Sequence, residues 1–255
     1  MNGSGRIPVV LVPGAVMPAG LAYTDLVDAL GPEVEARYKD LEVYAADAPP
    51  PAYGLGTEVQ GIRRFARDAG FEEFHLVGYS AGGAASVAYC ATHPEDLLSL
   101  TLLEPAWAGR EGRSELELEQ AAEFDRIMTL PPHEMMPAFV RAQLKEGVEP
   151  PPPPPGPPPP WMAQRPAGLD AIVRSFETFP LDNKRLRAFE RPVLFVLGGK
   201  SHPAQYLEIA TRLETLFPDF TLEVFEERHH FDPPHRVEPE ALAPMLRALW
   251  DRASV

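Results

Sequence analysis

Six short, mainly apolar runs recur along the chain, and a glycine, a proline or a polar residue follows most of them closely. Runs of this length and content are typical of strands buried in a parallel sheet. We therefore predict strands at residues 7–12, 41–45, 74–79, 97–103, 192–197 and 220–225.

The segments between these runs show helical spacing instead. Val59, Ile62, Ala66 and Ala69 form one apolar stripe at intervals of three or four residues, which is the pattern of a helix with one buried face. An alternation of strands and helices indicates an α/β fold. Helices are predicted at 21–30, from 57 onward, and at 83–91, 114–128, 133–145, 169–179, 204–217 and 239–250.

The alternation is interrupted between residues 105 and 190, where only helical patterns occur. We predict that 1–104 and 191–255 form the core and that 105–190 is an inserted helical subdomain. Residues 150–160 of this insertion contain ten prolines in eleven positions, which favours a polyproline II strut of roughly 34 Å at about 3.1 Å per residue. An internal strap is the favoured interpretation, and a docking motif for SH3-like or WW-like domains is the alternative.

The bulk composition narrows the possible partners. The chain has 255 residues, 45% of them hydrophobic, enough for one sizeable core. Its formal charge of −14 argues against nucleic acid or an anionic membrane as a partner. A single cysteine, Cys90, excludes an internal disulfide.

The first apolar run is too short to span a membrane and lacks a convincing cleavage site, so the expected location is cytoplasmic. The sequence does not indicate an oligomeric state.

The strongest chemical signal follows the third predicted strand, where the chain reads Gly78-Tyr79-Ser80-Ala81-Gly82 before a helix of small residues. A G-x-S-x-G pattern between a strand and a helix is typical of a nucleophile elbow, a strained turn that exposes the serine. The helix N-terminus beside Ser80 supplies free N–H groups where an oxyanion can form. A structural turn of glycine and serine is the alternative.

This elbow, the order of strands and helices, and the position of the insertion resemble the α/β-hydrolase superfamily. The resemblance implies a mostly parallel sheet of about six strands with helices on both faces and a helical cap. It also implies an oxyanion hole made by the backbone N–H groups of Ala15, after Pro13-Gly14, and Ala81. Val16 is a possible substitute for Ala15, and a plain turn that ends the strand is the alternative.

In this superfamily the catalytic histidine lies in the loop after the last strand, which here reads His229-His230-Phe231. The usual histidine followed by an apolar residue selects His230 over His229. The acid commonly follows the penultimate strand, but Ser201 stands about there and residues 198–203 hold no carboxylate. Some members place the acid after the strand that follows the nucleophile helix, where this chain has Glu104. The expected triad is therefore Ser80, His230 and Glu104.

The resemblance implies hydrolysis of a carboxylic ester, or of a related thioester or lactone, in a largely apolar, uncharged small molecule. The alternative is an inactive member of the fold that binds a ligand or a partner. Neither a cofactor nor a metal is expected, because the spacing of the histidines fits no common metal motif. Methionine and aromatic side chains suit an adaptable pocket, and the expected substrate-binding residues are Val16, Tyr79, Trp107, Met128 and Met136.

Overall fold

The computed structural model describes residues 5–152 and 155–253. Its strands are β1 (Ile7–Val12), β2 (Val34–Tyr38), β3 (Phe74–Tyr79), β4 (Leu97–Leu103), β5 (Val193–Gly198) and β6 (Phe220–Phe225). They form one sheet in the order β2-β1-β3-β4-β5-β6, and every neighbouring pair is parallel. The predicted parallel sheet of about six strands is confirmed.

Helices connect the strands in sequence. They are α1 (Ala19–Leu30), α2 (Leu55–Asp68), α3 (Ala81–Thr92), α4 (Glu115–Ile127), α5 (Pro132–Arg141), α6 (Arg165–Thr178), α7 (Asn183–Arg187), α8 (Pro203–Glu214), α9 (Pro234–Val237) and α10 (Pro239–Ala253). No helix among the described residues is long and apolar enough to cross a membrane.

Helices cover both faces of the sheet, as predicted. Successive residues of a strand point to opposite faces, and β1 shows the consequence. Val9 and Leu11 are buried in a cluster with α1 and α10, whereas Val10 and Val12 are buried in a second cluster with α2, α3 and α8. Burial on both faces explains why the central strands are almost continuously apolar.

The second strand was predicted in the wrong place. Residues 41–45 form no strand, and Glu42–Tyr44 is a 3-10 turn whose Glu42 and Val43 N–H groups donate to the Glu58 carboxylate at 2.9 and 3.1 Å. The actual strand, β2, lies at the sheet edge and is only partly buried. Its sequence is therefore more polar than that of a central strand, and the apolar pattern did not reveal it.

Two predicted helix starts had different outcomes. Ser114 and Glu117 form the predicted reciprocal cap of α4, in which the Ser114 hydroxyl accepts the Glu117 N–H at 3.2 Å. The helix predicted to begin at Thr57 instead begins at Leu55, and Thr57 accepts the Gly54 N–H from the third helical position. The start at Leu55 was not predicted because glycine, which is unfavourable in helices, stands on both sides of it.

The segment between β4 and β5 contains α4 to α7, and its treatment as a separate cap stays a prediction. Residues 153 and 154 of the predicted proline strut lie outside the described residues. The segment is attached to the loop after β5 through an antiparallel bridge between Leu144 and Ser201. The His202 N–H also donates to the Gln143 carbonyl at 3.0 Å. These bonds hold the end of α5 beside the carboxyl ends of the strands.

Candidate active site

Ser80 occupies a sharp turn between β3 and α3. Its φ of 54° and ψ of −117° are disfavoured for a residue with a Cβ. A Cβ on Gly78 would collide with Ser86 and the Gly82 carbonyl, and one on Gly82 would collide with the backbone of Val12 and Pro13. Glycine at both positions therefore allows the strand and the helix to approach closely enough for the turn to form.

The structure brings Ser80, His230 and Glu104 together. The Ser80 Oγ lies 3.0 Å from the His230 Nε2, and the His230 Nδ1 lies 2.9 Å from the Glu104 Oε2. All three residues are buried, with 7%, 2% and 4% of their surfaces exposed. Since an ionised carboxylate only accepts hydrogen bonds, Nδ1 carries the proton and Nε2 accepts from the Ser80 hydroxyl.

Glu104 is held by the backbone of the neighbouring strand, β5. It follows β4 with a φ of 45°, and its N–H donates to the Val196 carbonyl at 3.1 Å. Its second carboxylate oxygen, Oε1, accepts the Gly198 N–H at 2.7 Å. Each carboxylate oxygen thus has a donor, which fixes the group against His230 and compensates for its burial.

Two tyrosines flank the His230 ring. Tyr206 stacks on it at 4.6 Å between ring centroids, and Tyr79 lies at 4.9 Å. The Tyr79 hydroxyl donates to the His230 carbonyl, and the Tyr206 hydroxyl donates to the Gln143 side chain at 2.6 Å. Burial raises the pKa of both phenols well above the usual value, so they remain neutral. Sequence reasoning missed Tyr206, which lies in α8, and Gln143, which lies in the turn after α5, because the sequence showed only a packing role for either residue.

His229 and Ser201 lie outside this hydrogen-bond chain. The His229 Nδ1 accepts the Phe231 N–H at 3.1 Å and faces Asp232 at 3.0 Å. The Ser201 hydroxyl is buried, and among the described residues it has no hydrogen-bond partner. Neither side chain contacts Ser80 or Glu104 through a hydrogen bond in this part of the chain.

Ala15 and Ala81 line the same cavity as Ser80. Their backbone N–H groups donate to no other group among the described residues, so both are free to donate to a ligand oxygen. The neighbouring Val16 uses its carbonyl to accept from Arg165 at 3.0 Å. The Arg165 guanidinium lies over the Tyr44 ring at 3.8 Å, so α6 packs directly on the turn that carries Ala15.

A cavity with an empty volume of about 800 Å³, including its opening to solvent, leads to Ser80. Its apolar wall comes from the segment between β4 and β5 and from α8, and includes Trp107, Phe124, Phe139, Ile172, Phe176 and Ile209. The expected substrate contacts Met128 and Met136 do not line it. Both are partly buried and pack against the hydrophobic core instead, so the methionines that the sequence suggested for the pocket serve packing.

The charged groups in this cavity wall are largely paired. Arg212 binds both oxygens of Glu117, at 2.6 and 3.2 Å, and less than a tenth of either side chain is exposed. Arg113 lies 3.3 Å from Glu177. Paired charges present little net field, and the cavity is therefore suited to an uncharged ligand.

A second cavity, with an empty volume of about 510 Å³, is also lined by Ser80. Val16 and Tyr79, two of the expected substrate contacts, line it together with His230 and His235. Ser80, Ala15 and Phe139 line both cavities. Ser80 therefore lies between the two cavities.

One group among the described residues has metal-ligand geometry, with the ligand atoms of His93, Glu95 and Asp96 within 4.8 Å of one another. Arg63 lies 3.3 Å from Asp96 and 3.9 Å from Glu95. The guanidinium already compensates for these acids, and a cation bound there would be repelled by it. The group lies apart from the residues around Ser80 and is not assigned to the site.

Two buried histidines should make stability depend on pH. Burial lowers the pKa of His75 to about 3, and burial with the charges of Arg236 and His230 does the same to His235. The unfolded chain binds these protons below about pH 6.5 and the folded chain does not. The free energy of unfolding should therefore fall as the pH drops from 6.5 toward 3, by up to about 1.4 kcal/mol per pH unit for each histidine.

The measurement is urea unfolding at pH values from 7.5 to 4.5 for the wild type and for His75→Phe. The variant should take up about one proton fewer on unfolding, so its stability should depend less steeply on pH. A constant offset between the two curves would contradict the prediction, because it would show that His75 titrates alike in both states.

Comparisons with known proteins agree with this geometry. A family model described as "Alpha/beta hydrolase family" matches residues 9–245. Monoacylglycerol lipase abhd6-A of Xenopus laevis is 35% identical over 86 residues, which is 31% of this chain and 26% of that relative. The matched region is thus about a quarter of the relative's length.

Solved structures resemble the whole fold. A thermophilic esterase from Thermogutta terrifontis superposes with a TM-score of 0.71 at 16% identity, covering 98% of this chain and 92% of that chain. The carboxylesterase CesB of Bacillus subtilis superposes with a TM-score of 0.66 at 16% identity, covering 96% and 84%. At these identities the likeness concerns the fold alone.

Proposed function

Because the chain belongs to the alpha/beta hydrolase family, we propose that it is a serine hydrolase that cleaves a carboxylic ester, or a related thioester or lactone. The observation that carries the proposal is the continuous hydrogen-bond chain from Ser80 through His230 to Glu104. A nucleophile, a base that takes its proton and an acid that orients the base are the three parts that acyl transfer requires.

In the proposed reaction, the Ser80 Oγ attacks the ester carbonyl while the His230 Nε2 takes its proton. The imidazolium is stabilised by Glu104, and its proton then passes to the oxygen of the leaving alcohol as the carbon–oxygen bond breaks. Water, activated by the same histidine, attacks the acyl-enzyme and releases the acid. The two half-reactions restore Ser80 and consume one ester and one water.

The negative oxygen of the tetrahedral intermediate would accept hydrogen bonds from the free backbone N–H groups of Ala15 and Ala81. Both belong to fixed backbone, one in the turn after β1 and the other at the first position of α3. Donors that are already oriented cost no reorganisation during the reaction, and a helix N-terminus adds partial positive charge. The cavity supports this assignment, because it brings both alanines beside Ser80.

The lining of the larger cavity supports an acyl group that is largely apolar and uncharged. Aromatic and aliphatic side chains surround it, and its buried arginine and carboxylate neutralise one another. Burial of each methylene contributes about 0.8 kcal/mol. Binding should therefore strengthen as the acyl chain lengthens, until the cavity is full.

The direct test is a panel of p-nitrophenyl esters of increasing acyl length, together with labelling by a fluorophosphonate probe. We expect stoichiometric labelling of the wild type, none of Ser80→Ala, and unchanged labelling of Ser86→Ala. Ser86 is a matched control because it is buried in the helix that follows Ser80, and its hydroxyl bonds only to the Gly82 carbonyl among the described residues. A folded wild type that neither reacts with the probe nor hydrolyses any ester would favour the inactive ligand-binding alternative.

A further inference from the structure

The smaller cavity differs from the larger one in its access to the proposed acid. His230 lines the smaller cavity and is absent from the lining of the larger one, whereas Ser80 and Phe139 line both. If Ser80 forms an acyl-enzyme, as proposed above, His230 must protonate the leaving oxygen. The alcohol portion then belongs in the smaller cavity, beside His230, and the acyl portion in the larger one.

The wall of the smaller cavity is mainly apolar, with Met17, Ala22, Phe231 and Pro233 among its residues. His235 interrupts this apolar surface. It is fully buried at 0% exposure, and among the described residues neither of its ring nitrogens has a hydrogen-bond partner. An unpaired buried polar group costs about 1–3 kcal/mol. No described side chain therefore competes for these nitrogens with a ligand hydroxyl that reaches them from the cavity, which His235 lines.

The surroundings of His235 fix the position of its ring, and neither of its nitrogens bonds to a neighbouring group among the described residues. Its ring lies 4.9 Å from that of Tyr23 and 4.7 Å from that of Tyr79. Both phenol groups are already used, since Tyr23 donates to the Val12 carbonyl at 2.8 Å and Tyr79 donates to the His230 carbonyl. The tyrosines therefore hold the imidazole by ring contacts only.

The charge state of His235 restricts what it can recognise. Burial and the nearby Arg236 and His230 keep its pKa far below neutrality, so the ring is neutral and offers one donor and one acceptor. A hydroxyl group also donates one hydrogen bond and accepts others, and so matches such a ring. A carboxylate or phosphate could only accept, and would find no charge on the imidazole.

We propose that the smaller cavity binds the alcohol portion of the ester and that His235 selects alcohols carrying a second, free hydroxyl group. Arg236, partly exposed in the same wall, offers further donors to such an alcohol. His235 is then a specificity-determining residue for the proposed reaction, and the preferred substrates are monoesters of diols and polyols.

The test compares two esters of the same acid, the 2-hydroxyethyl ester and the n-propyl ester, which differ by a hydroxyl in place of a methyl group. Both give the same acyl-enzyme, so hydrolysis of that intermediate is common to them and differences in kcat/KM arise before it. The wild type should prefer the 2-hydroxyethyl ester by about 3- to 10-fold, the value of one neutral hydrogen bond.

His235→Phe keeps an aromatic ring between the two tyrosines but removes both nitrogens. We expect it to reverse the preference toward the n-propyl ester. His235→Asn restores a donor and an acceptor, and should recover part of the preference even if the phenylalanine variant folds poorly. His229→Gln is the matched control, because His229 lines neither cavity, and it should keep the wild-type ratio.

Three results would overturn the inference alone. Equal loss of both activities in His235→Phe would show a structural role, and a wild-type preference for the negatively charged carboxymethyl ester would assign selection to Arg236. A wild type that hydrolyses both esters at one rate would also overturn it while leaving the proposed function intact. A wild type that hydrolyses neither ester and is not labelled at Ser80 would overturn the proposed function and the inference together.

Discussion

Ser80→Ala should lower kcat for ester hydrolysis by about 10⁵- to 10⁶-fold, since no other group described here is placed to form the acyl-enzyme. The His230 Nε2 and the Ser80 Oγ are 3.0 Å apart, and removal of the hydroxyl leaves the base without a nucleophile to activate. Steady-state hydrolysis of the best p-nitrophenyl ester measures the loss. A residual rate within tenfold of the wild type would contradict the assignment of Ser80 as nucleophile.

The same position should also show a cost to stability. Ser80 has a φ of 54°, a conformation that glycine adopts without strain and that costs other residues about 1–3 kcal/mol. Ser80→Gly should therefore be more stable than Ser80→Ala by about 1 kcal/mol in urea unfolding, although both are inactive. Equal stability of the two variants would show that the turn is not strained.

The central part of the fold was predictable because strands that are buried on both faces have almost continuously apolar sequences. β1, β3 and β4 are apolar almost throughout and have the predicted limits. β2 was missed for the converse reason. At the sheet edge its side chains are partly exposed. Residues 41–45 resembled a strand because Leu41 and Val43 are apolar, and both are buried at a 3-10 turn instead.

Some residues of the candidate site could be predicted from the sequence and others could not. Ser80 was predictable because its strained turn needs small residues at fixed positions, and these form a local sequence motif. No local sequence motif marks the residues of a pocket, because a side chain that lines a cavity and one that packs in the core have the same apolar character. Met128 and Met136 illustrate this. Tyr206 was missed for another reason, because its contact with His230 joins residues 24 positions apart.

Glu104 is the proposed triad acid, whereas Ser201 stands about where the acid is commonly found, and a pair of substitutions compares the two positions. Glu104→Gln should reduce kcat by about 10²- to 10⁴-fold and change KM much less. Glutamine keeps the shape, and its oxygen can still accept the Gly198 N–H that now bonds to Oε1. Its amide nitrogen then faces the His230 Nδ1, where the carboxylate oxygen lies at 2.9 Å.

A donor at that place favours the tautomer of His230 with its proton on Nε2, so the histidine cannot accept the Ser80 proton. The charge that stabilises the imidazolium is also lost. Ser201→Ala is the matched control and should cost less than about tenfold, because the Ser201 hydroxyl has no hydrogen-bond partner among the described residues. Both variants are compared by kcat and KM on one ester. Near-wild-type turnover in Glu104→Gln would leave a Ser80–His230 pair that works without a carboxylate, since residues 198–203 offer none.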